Sequence, residues 1–138
     1  MIVVDSNVVA YYWINGPLTK SAWQVWEKDP DWHVPVLWRS EMRSILAGYL
    51  RDGSLSVRQV GQVMAAGEAA FSGREHLVPS DRVFGVVERA RVSAYDAEFV
   101  ALAEVLGVPL VTADRAVLKA FPARACTMKT FAEPAATR

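Results

Sequence analysis

Four carboxylates in this chain stand where the surrounding pattern leaves little room for an ordinary surface charge. Asp5 closes the run "IVVD" and Asp114 closes "PLVTAD", so each lies at the carboxyl end of an apolar run that reads as a buried strand. Asp96 begins "DAEFVALA", with Phe99, Val100 and Ala103 three, four and seven residues on, which places it at the head of a helix's apolar face. Glu41 has Leu37 and Ile45 four residues to either side, with Trp38, Met42 and Tyr49 beside that stripe. A carboxylate there must be paired, protonated or bound to a cation, because an isolated buried charge is very costly. Clustered carboxylates repel and raise one another's pKa unless a cation compensates. Ligation by oxygen alone suits Mg²⁺ or Mn²⁺.

Each acid also has an ordinary explanation. Asp is a favoured helix cap, which would account for Asp5 and Asp114. Ser93 followed three residues later by Asp96 resembles a capping box, and a first-turn acid suits the helix dipole. Glu41 reads as mid-helix, where no cap is needed; its alternative is a salt bridge to Arg39, Arg43 or another arginine. His33 and His76 lie on different strands without ligand spacing and read as structural or surface histidines. Cys126 is the one cysteine, which leaves neither a disulfide framework nor a multi-cysteine metal site.

The elements that must position these residues alternate. Strands are expected at 2–4, 32–35, 75–79, 108–114 and 123–129. Helices are expected at 6–14, 18–29, 36–53, 54–73, 80–91, 93–107 and 115–121, the fifth opened by Ser80 and the sixth ended by Gly107. The alternation predicts an α/β fold with a short, parallel-stranded central sheet flanked by helices. Ligands of such sheets bind at the carboxyl ends of the strands, the edge that Asp5 and Asp114 share if their strands are neighbours.

Bulk properties agree with this reading. The 138 residues, 52% of them hydrophobic, predict one domain over 1–138 with a real core. Fifteen basic and fifteen acidic side chains give zero net charge, so composition carries no global signal for nucleic acid. No apolar run approaches the ~20 residues of a membrane span, and "MIVVDSNVVA" lacks the basic leader of a signal peptide. With one cysteine, the expected setting is a reducing cytoplasm.

At this point the residues resemble a family. "IVVDSN", the isolated Glu41 and "YDAEFVALAEVLGVPLVTAD" resemble the PIN-domain ribonucleases, and the layout is similar to the VapC-type toxins of toxin–antitoxin pairs. The resemblance spans about 1–130. It implies that Asp5, Glu41, Asp96 and Asp114 hold Mg²⁺ or Mn²⁺. It implies that Thr112 orders a ligand or water, and that Ser6 and Asn7 orient the first aspartate. Some members carry a further acid after the last aspartate; Arg115 and Ala116 stand there, which implies a four-carboxylate site. It implies metal-dependent endoribonuclease chemistry that leaves a 5′ phosphate and a 3′ hydroxyl. It also implies an antitoxin partner and a homodimer. Arg39, Arg43, Arg115 and Lys119 flank Glu41 and Asp114 and are candidates for an RNA-binding rim. Trp13, Trp23 and Trp26 are candidates for an apolar groove that receives the antitoxin.

Two other readings compete. A receiver-like signalling domain also joins a parallel sheet to an acidic Mg²⁺ pocket, but it needs an acid at the end of its middle strand, where "EHLVP" has none. A catalytically inactive PIN-like binding module would normally lack one of the four acids.

Overall fold

The structure is a computed structural model and describes residues 1–134. Five strands form one parallel sheet in the order β3-β2-β1-β4-β5. These are β1 (Ile2–Val4), β2 (Trp32–Pro35), β3 (Glu75–His76), β4 (Leu110–Val111) and β5 (Ala125–Cys126). Among the described residues, eight helices surround it: α1 (Ser6–Trp13), α2 (Thr19–Lys28), α3 (Trp38–Arg51), α4 (Val57–Ala70), α5 (Ser80–Arg89), α6 (Ala94–Leu106), α7 (Arg115–Ala120) and α8 (Met128–Ala132). This is the α/β architecture that the alternating pattern predicts.

The apolar runs explain the sheet. Every residue of β1 and β2 is buried, as a parallel sheet covered on both faces demands. β1 lies at the centre, pairing Val3 with His33 on one side and with Leu110 on the other. The β1–β4 ladder continues one residue past β1, where the Asp5 amide donates to the Val111 carbonyl at 3.0 Å. That bond carries Asp5 to the carboxyl edge of the sheet, level with Thr112.

Helix boundaries follow local chemistry. Ser56 and Gln59 form a reciprocal capping box at the start of α4. Ser93 caps α6, which ends at Gly107 in the left-handed region, φ 68°, where a residue without a Cβ is favoured. Several expected elements differ. The run 75–79 is a strand only at Glu75–His76, and 108–114 only at Leu110–Val111. Ser80 is the first residue of α5 rather than its cap; Pro79 takes the cap position and contributes no side-chain bond. The last expected strand, 123–129, stops at Cys126, because Thr127 caps a further helix, α8, by accepting from the Thr130 amide at 3.0 Å.

The aromatic residues are mostly core. Tyr12, Trp13, Trp26 and Trp32 pack against one another with ring centroids 4.5–6.5 Å apart, and Phe71 joins Trp13 to Trp38. Trp13 and Trp26 are partly buried with their rings packed on Tyr12 and Trp32, so they do not form an open groove with Trp23 as expected. Trp23 alone is exposed, with its indole N–H donating to the Tyr12 carbonyl at 3.3 Å. The histidines are structural. His33 is buried, with Nδ1 2.8 Å from His76 Nε2 and Nε2 2.9 Å from Asp31, so the pair ties β3 to β2.

Trp38 anchors the start of α3. It is fully buried, and its indole N–H donates to Glu75 Oε2 at 2.6 Å. Helix α4 crosses the ring at Gly67, where an added Cβ would meet Trp38 at 3.0 and 3.1 Å. A Gly67→Ala change gains about 1 kcal/mol of helix propensity. Overpacking costs about 1–3 kcal/mol, and the tethered ring is poorly placed to yield. The variant should lose about 1 kcal/mol net in urea unfolding, whereas a gain in stability would show that Trp38 is free to move.

Candidate metal centre

Asp5 is set by two short hydrogen bonds. The Ser6 amide donates to Oδ1 at 2.7 Å, and the Thr112 hydroxyl donates to Oδ2 at 2.7 Å. Thr112 is itself fully buried, and its oxygen accepts from the Asp114 amide at 3.0 Å. The single Thr112 proton is thus aimed at Asp5, and the same hydroxyl fixes the backbone of Asp114. Asn7 Oδ1 accepts from the Ala113 amide at 3.4 Å, a second tie between the two strand ends.

Ser6 also holds Glu41, its hydroxyl donating to Oε1 at 2.9 Å. Glu41 is not mid-helix. The Val36 amide is still committed to the sheet, donating to the His76 carbonyl at 3.0 Å, so α3 starts only at Trp38 and Glu41 falls in its first turn. Asp96 occupies the first turn of α6, with its amide donating to Ser93 Oγ at 3.0 Å. Asp114 caps α7, with Oδ1 accepting from the Val117 amide at 3.0 Å. Asp114 is therefore a true cap, while of the capping box expected at Ser93 and Asp96 only the Ser93 half is present, and neither arrangement keeps these carboxylates from facing a common space.

Asp5, Glu41, Asp96 and Asp114 all line one open pocket of about 540 Å³. Ser6, Asn7, Ser40, Ser44 and Tyr95 line it as well, and among the described residues no lysine, arginine or histidine does. The electrostatics reflect this imbalance. Burial pushes the Asp5 carboxyl up, opposed by its bonds from Thr112 and Ser6 and assisted by the charges of Asp96 and Asp114. Burial likewise raises Glu41, with Asp5, Asp96 and Glu98 adding to the shift. Asp96 is raised by burial and by Asp114.

Some expectations change on the rim. Arg39 is committed to Glu75, which it grips with two bonds of 2.7 Å, and it lies 3.5 Å from Glu68. It is an anchor for α3 rather than a free cation. Arg43, Arg115 and Lys119 are exposed and make no ion pair among the described residues. Glu98 was not singled out by sequence pattern; burial raises its carboxyl, and its charge helps to raise Glu41. Ser40 and Ser44 were also missed, although a spacing of four puts both on one helical face beside Glu41.

The donor set is hard oxygen throughout, which is the chemistry that Mg²⁺ and Mn²⁺ accept. Among the described residues, no three such side chains stand close enough to close around an ion directly. Mg²⁺ keeps several waters and takes only one or two carboxylates directly, so a wide acidic pocket suits it.

Fold and pocket define a class: a parallel α/β domain with an acidic pocket at the carboxyl edge of its sheet. A family model described as the PIN domain matches residues 2–122, a span that contains all four acids. The chain belongs to the PIN domain family. In overall fold it is similar to the crystal structure of FitAcB from Neisseria gonorrhoeae, with a TM-score of 0.74 and 15% identity over 94% of this chain and 99% of that one. Comparison with curated proteins found no match.

The raised carboxyls make a pH prediction. Asp5 binds its proton more tightly folded than unfolded, so between the unfolded range near pH 4 and its raised folded value the native state holds more protons. Stability contributed by this group therefore falls as pH rises through that window. In a metal chelator, urea unfolding of native chain and Asp5→Asn should show the difference moving in the variant's favour from about pH 4 to pH 7. A difference constant with pH would contradict the shift.

Proposed function

We propose that this chain is a metal-dependent endoribonuclease acting as the toxin of a type II toxin–antitoxin pair, with Mg²⁺ or Mn²⁺ in the acidic pocket. One observation carries the reading: four carboxylates share a pocket that no basic side chain lines. Membership of the PIN domain family supports nuclease chemistry. When bound, a divalent cation offsets charge on the scissile phosphodiester and lowers the pKa of a water ligand.

The chain's own residues supply position. Asp5 and Asp114 are set from adjacent strand ends, and Thr112 holds both through one hydroxyl. Ser6 fixes Asp5 through its amide and Glu41 through its hydroxyl, so α3 and β1 are registered to each other at the site. Asp96 completes the set from α6. Hydrolysis by in-line attack would leave a 5′ phosphate and a 3′ hydroxyl, and it needs no serine, cysteine or histidine nucleophile. Thr112 serves as an orienting group, since its proton is spent on Asp5. An inactive binding module is the second reading, and retention of all four acids in one pocket weighs against it. The receiver reading falls with the family, and β3 ends in His76 without an acid.

Asp114→Asn separates a metal ligand from a cap. Asn caps as well as Asp, so thermal unfolding without metal should move by less than about 1 kcal/mol. RNA cleavage should fall by more than the roughly 10–100-fold cost of losing an outer-shell partner. Cleavage at the native rate would remove Asp114 from the metal site.

The antitoxin reading moves to another surface. An apolar groove of about 350 Å³, lined by Ala10, Tyr11, Ile14, Leu18, Ile45 and Tyr49, adjoins the acidic pocket through Asn7 and Ile45. A partner segment seated there would reach the pocket's mouth. Tyr49→Asp should leave the fold intact, since Tyr49 is exposed, and should weaken antitoxin capture at least about tenfold, as loss of an interface anchor does. Unchanged capture would place the partner elsewhere. A homodimer and a cytoplasmic setting belong to the same proposal, as does a single domain over 1–138. Among the described residues, no helix is long and apolar enough to cross a membrane.

A further inference from the structure

Among the residues lining the acidic pocket, Tyr95 is the one aromatic side chain. It is 65% exposed, and among the described residues it has no ring partner and no hydrogen bond. Trp23, Tyr49 and Phe84 are exposed as well, but none of them lines the acidic pocket, so Tyr95 is the open ring beside the acids. Its backbone is nevertheless firmly held. Tyr95 is the second residue of α6, whose first turn is capped by Ser93 and whose Ala97, Phe99 and Val100 are buried directly behind it. Its Cα lies about 3.8 Å from that of Asp96, one residue along the chain.

From this placement we infer that Tyr95 is a stacking platform for the unpaired nucleobase next to the scissile phosphate. The inference rests on the nuclease reading and deepens it. Exposed cations such as Arg115 and Lys119 lie outside the pocket lining, so within the pocket itself a contact to a base beside the acids is uncharged. An aromatic face supplies it: every base has a π-face, and stacking tolerates any sequence. Bases in a duplex keep their faces buried in the stack, and RNA readers generally engage splayed, single-stranded bases on such rings. A ring one residue from a metal-binding carboxylate puts that base beside the phosphate to be cut.

The test uses the full chain with Mn²⁺ and a single-stranded RNA whose cut site has been mapped. Native, Tyr95→Ala and Tyr95→Phe proteins are compared on that RNA and on copies with the base on either side of the cut removed. Tyr95→Ala should lose about 5- to 150-fold in kcat/KM, mostly through KM, the range expected for one stacked base. Tyr95→Phe should keep native kcat/KM, and the Ala penalty should vanish on one of the abasic RNAs. A 2-aminopurine at that position should be quenched on binding to the native and Phe proteins and remain bright with Ala. Equal Ala penalties on intact and abasic RNA, native kcat/KM in Tyr95→Ala, or equal quenching by all three would overturn the inference. Cleavage that persists at the native rate in Asp5→Asn and Asp114→Asn, with Tyr95-dependent quenching retained, would remove the nuclease reading and support the stacking surface.

Discussion

The buried Asp5 carboxylate is the constraint around which the rest of the site is arranged. It sits at the end of the central strand, where solvent is scarce, and it is kept there by the Ser6 amide and the Thr112 hydroxyl. Those two bonds favour the ionised form, while burial and the nearby acids oppose it more strongly. Natural cores seldom tolerate such an imbalance without a compensating charge. The fold keeps it and adds three further carboxylates at the same edge, from α3, α6 and the end of β4. The result is a surplus of negative charge at one edge of the sheet, which the proposed divalent cation would offset.

Holding those carboxylates together requires rigidity, and the core supplies it from the opposite side. The Trp–Phe–Tyr cluster fills the space under α1, α2 and α4. Trp38 then links this cluster to Glu75, and Glu75 grips Arg39 in turn. The first turn of α3 is therefore fixed by bonds to β3, and Glu41 is delivered to the pocket from that turn. Ser6 completes the connection from β1. Arginine is used here as a structural fork matched to a carboxylate, a role its planar geometry suits.

Much of this was legible in the sequence. Asp5 and Asp114 announce themselves because apolar runs end on them, and parallel sheets place such ends on one edge. Asp96 follows from the apolar positions behind it. Glu41 was legible as an awkward charge but not in its place: that Val36 still belongs to the β2–β3 ladder depends on a partner forty residues away. The fate of Arg39 was hidden for the same reason, since Glu75 is close only in space. The tryptophans misled because exposure is a property of the folded surface; composition alone cannot separate Trp26, packed on Trp32, from the exposed Trp23. Helix α8 is only five residues long, and its threonine cap follows a two-residue strand too short to show a pattern. Tyr95 adjoins a recognised motif, yet only the structure shows that nothing covers its ring.

The central claim is that the acidic pocket exists to receive a divalent cation, and locating the ion tests it most directly. Crystals of the chain soaked in millimolar Mn²⁺ should show an anomalous peak in the pocket, about 2.0–2.6 Å from a carboxylate oxygen of at least one of the four acids. An ordered structure in which Mn²⁺ binds elsewhere, or leaves Asp5, Glu41, Asp96 and Asp114 without any peak, would contradict the account.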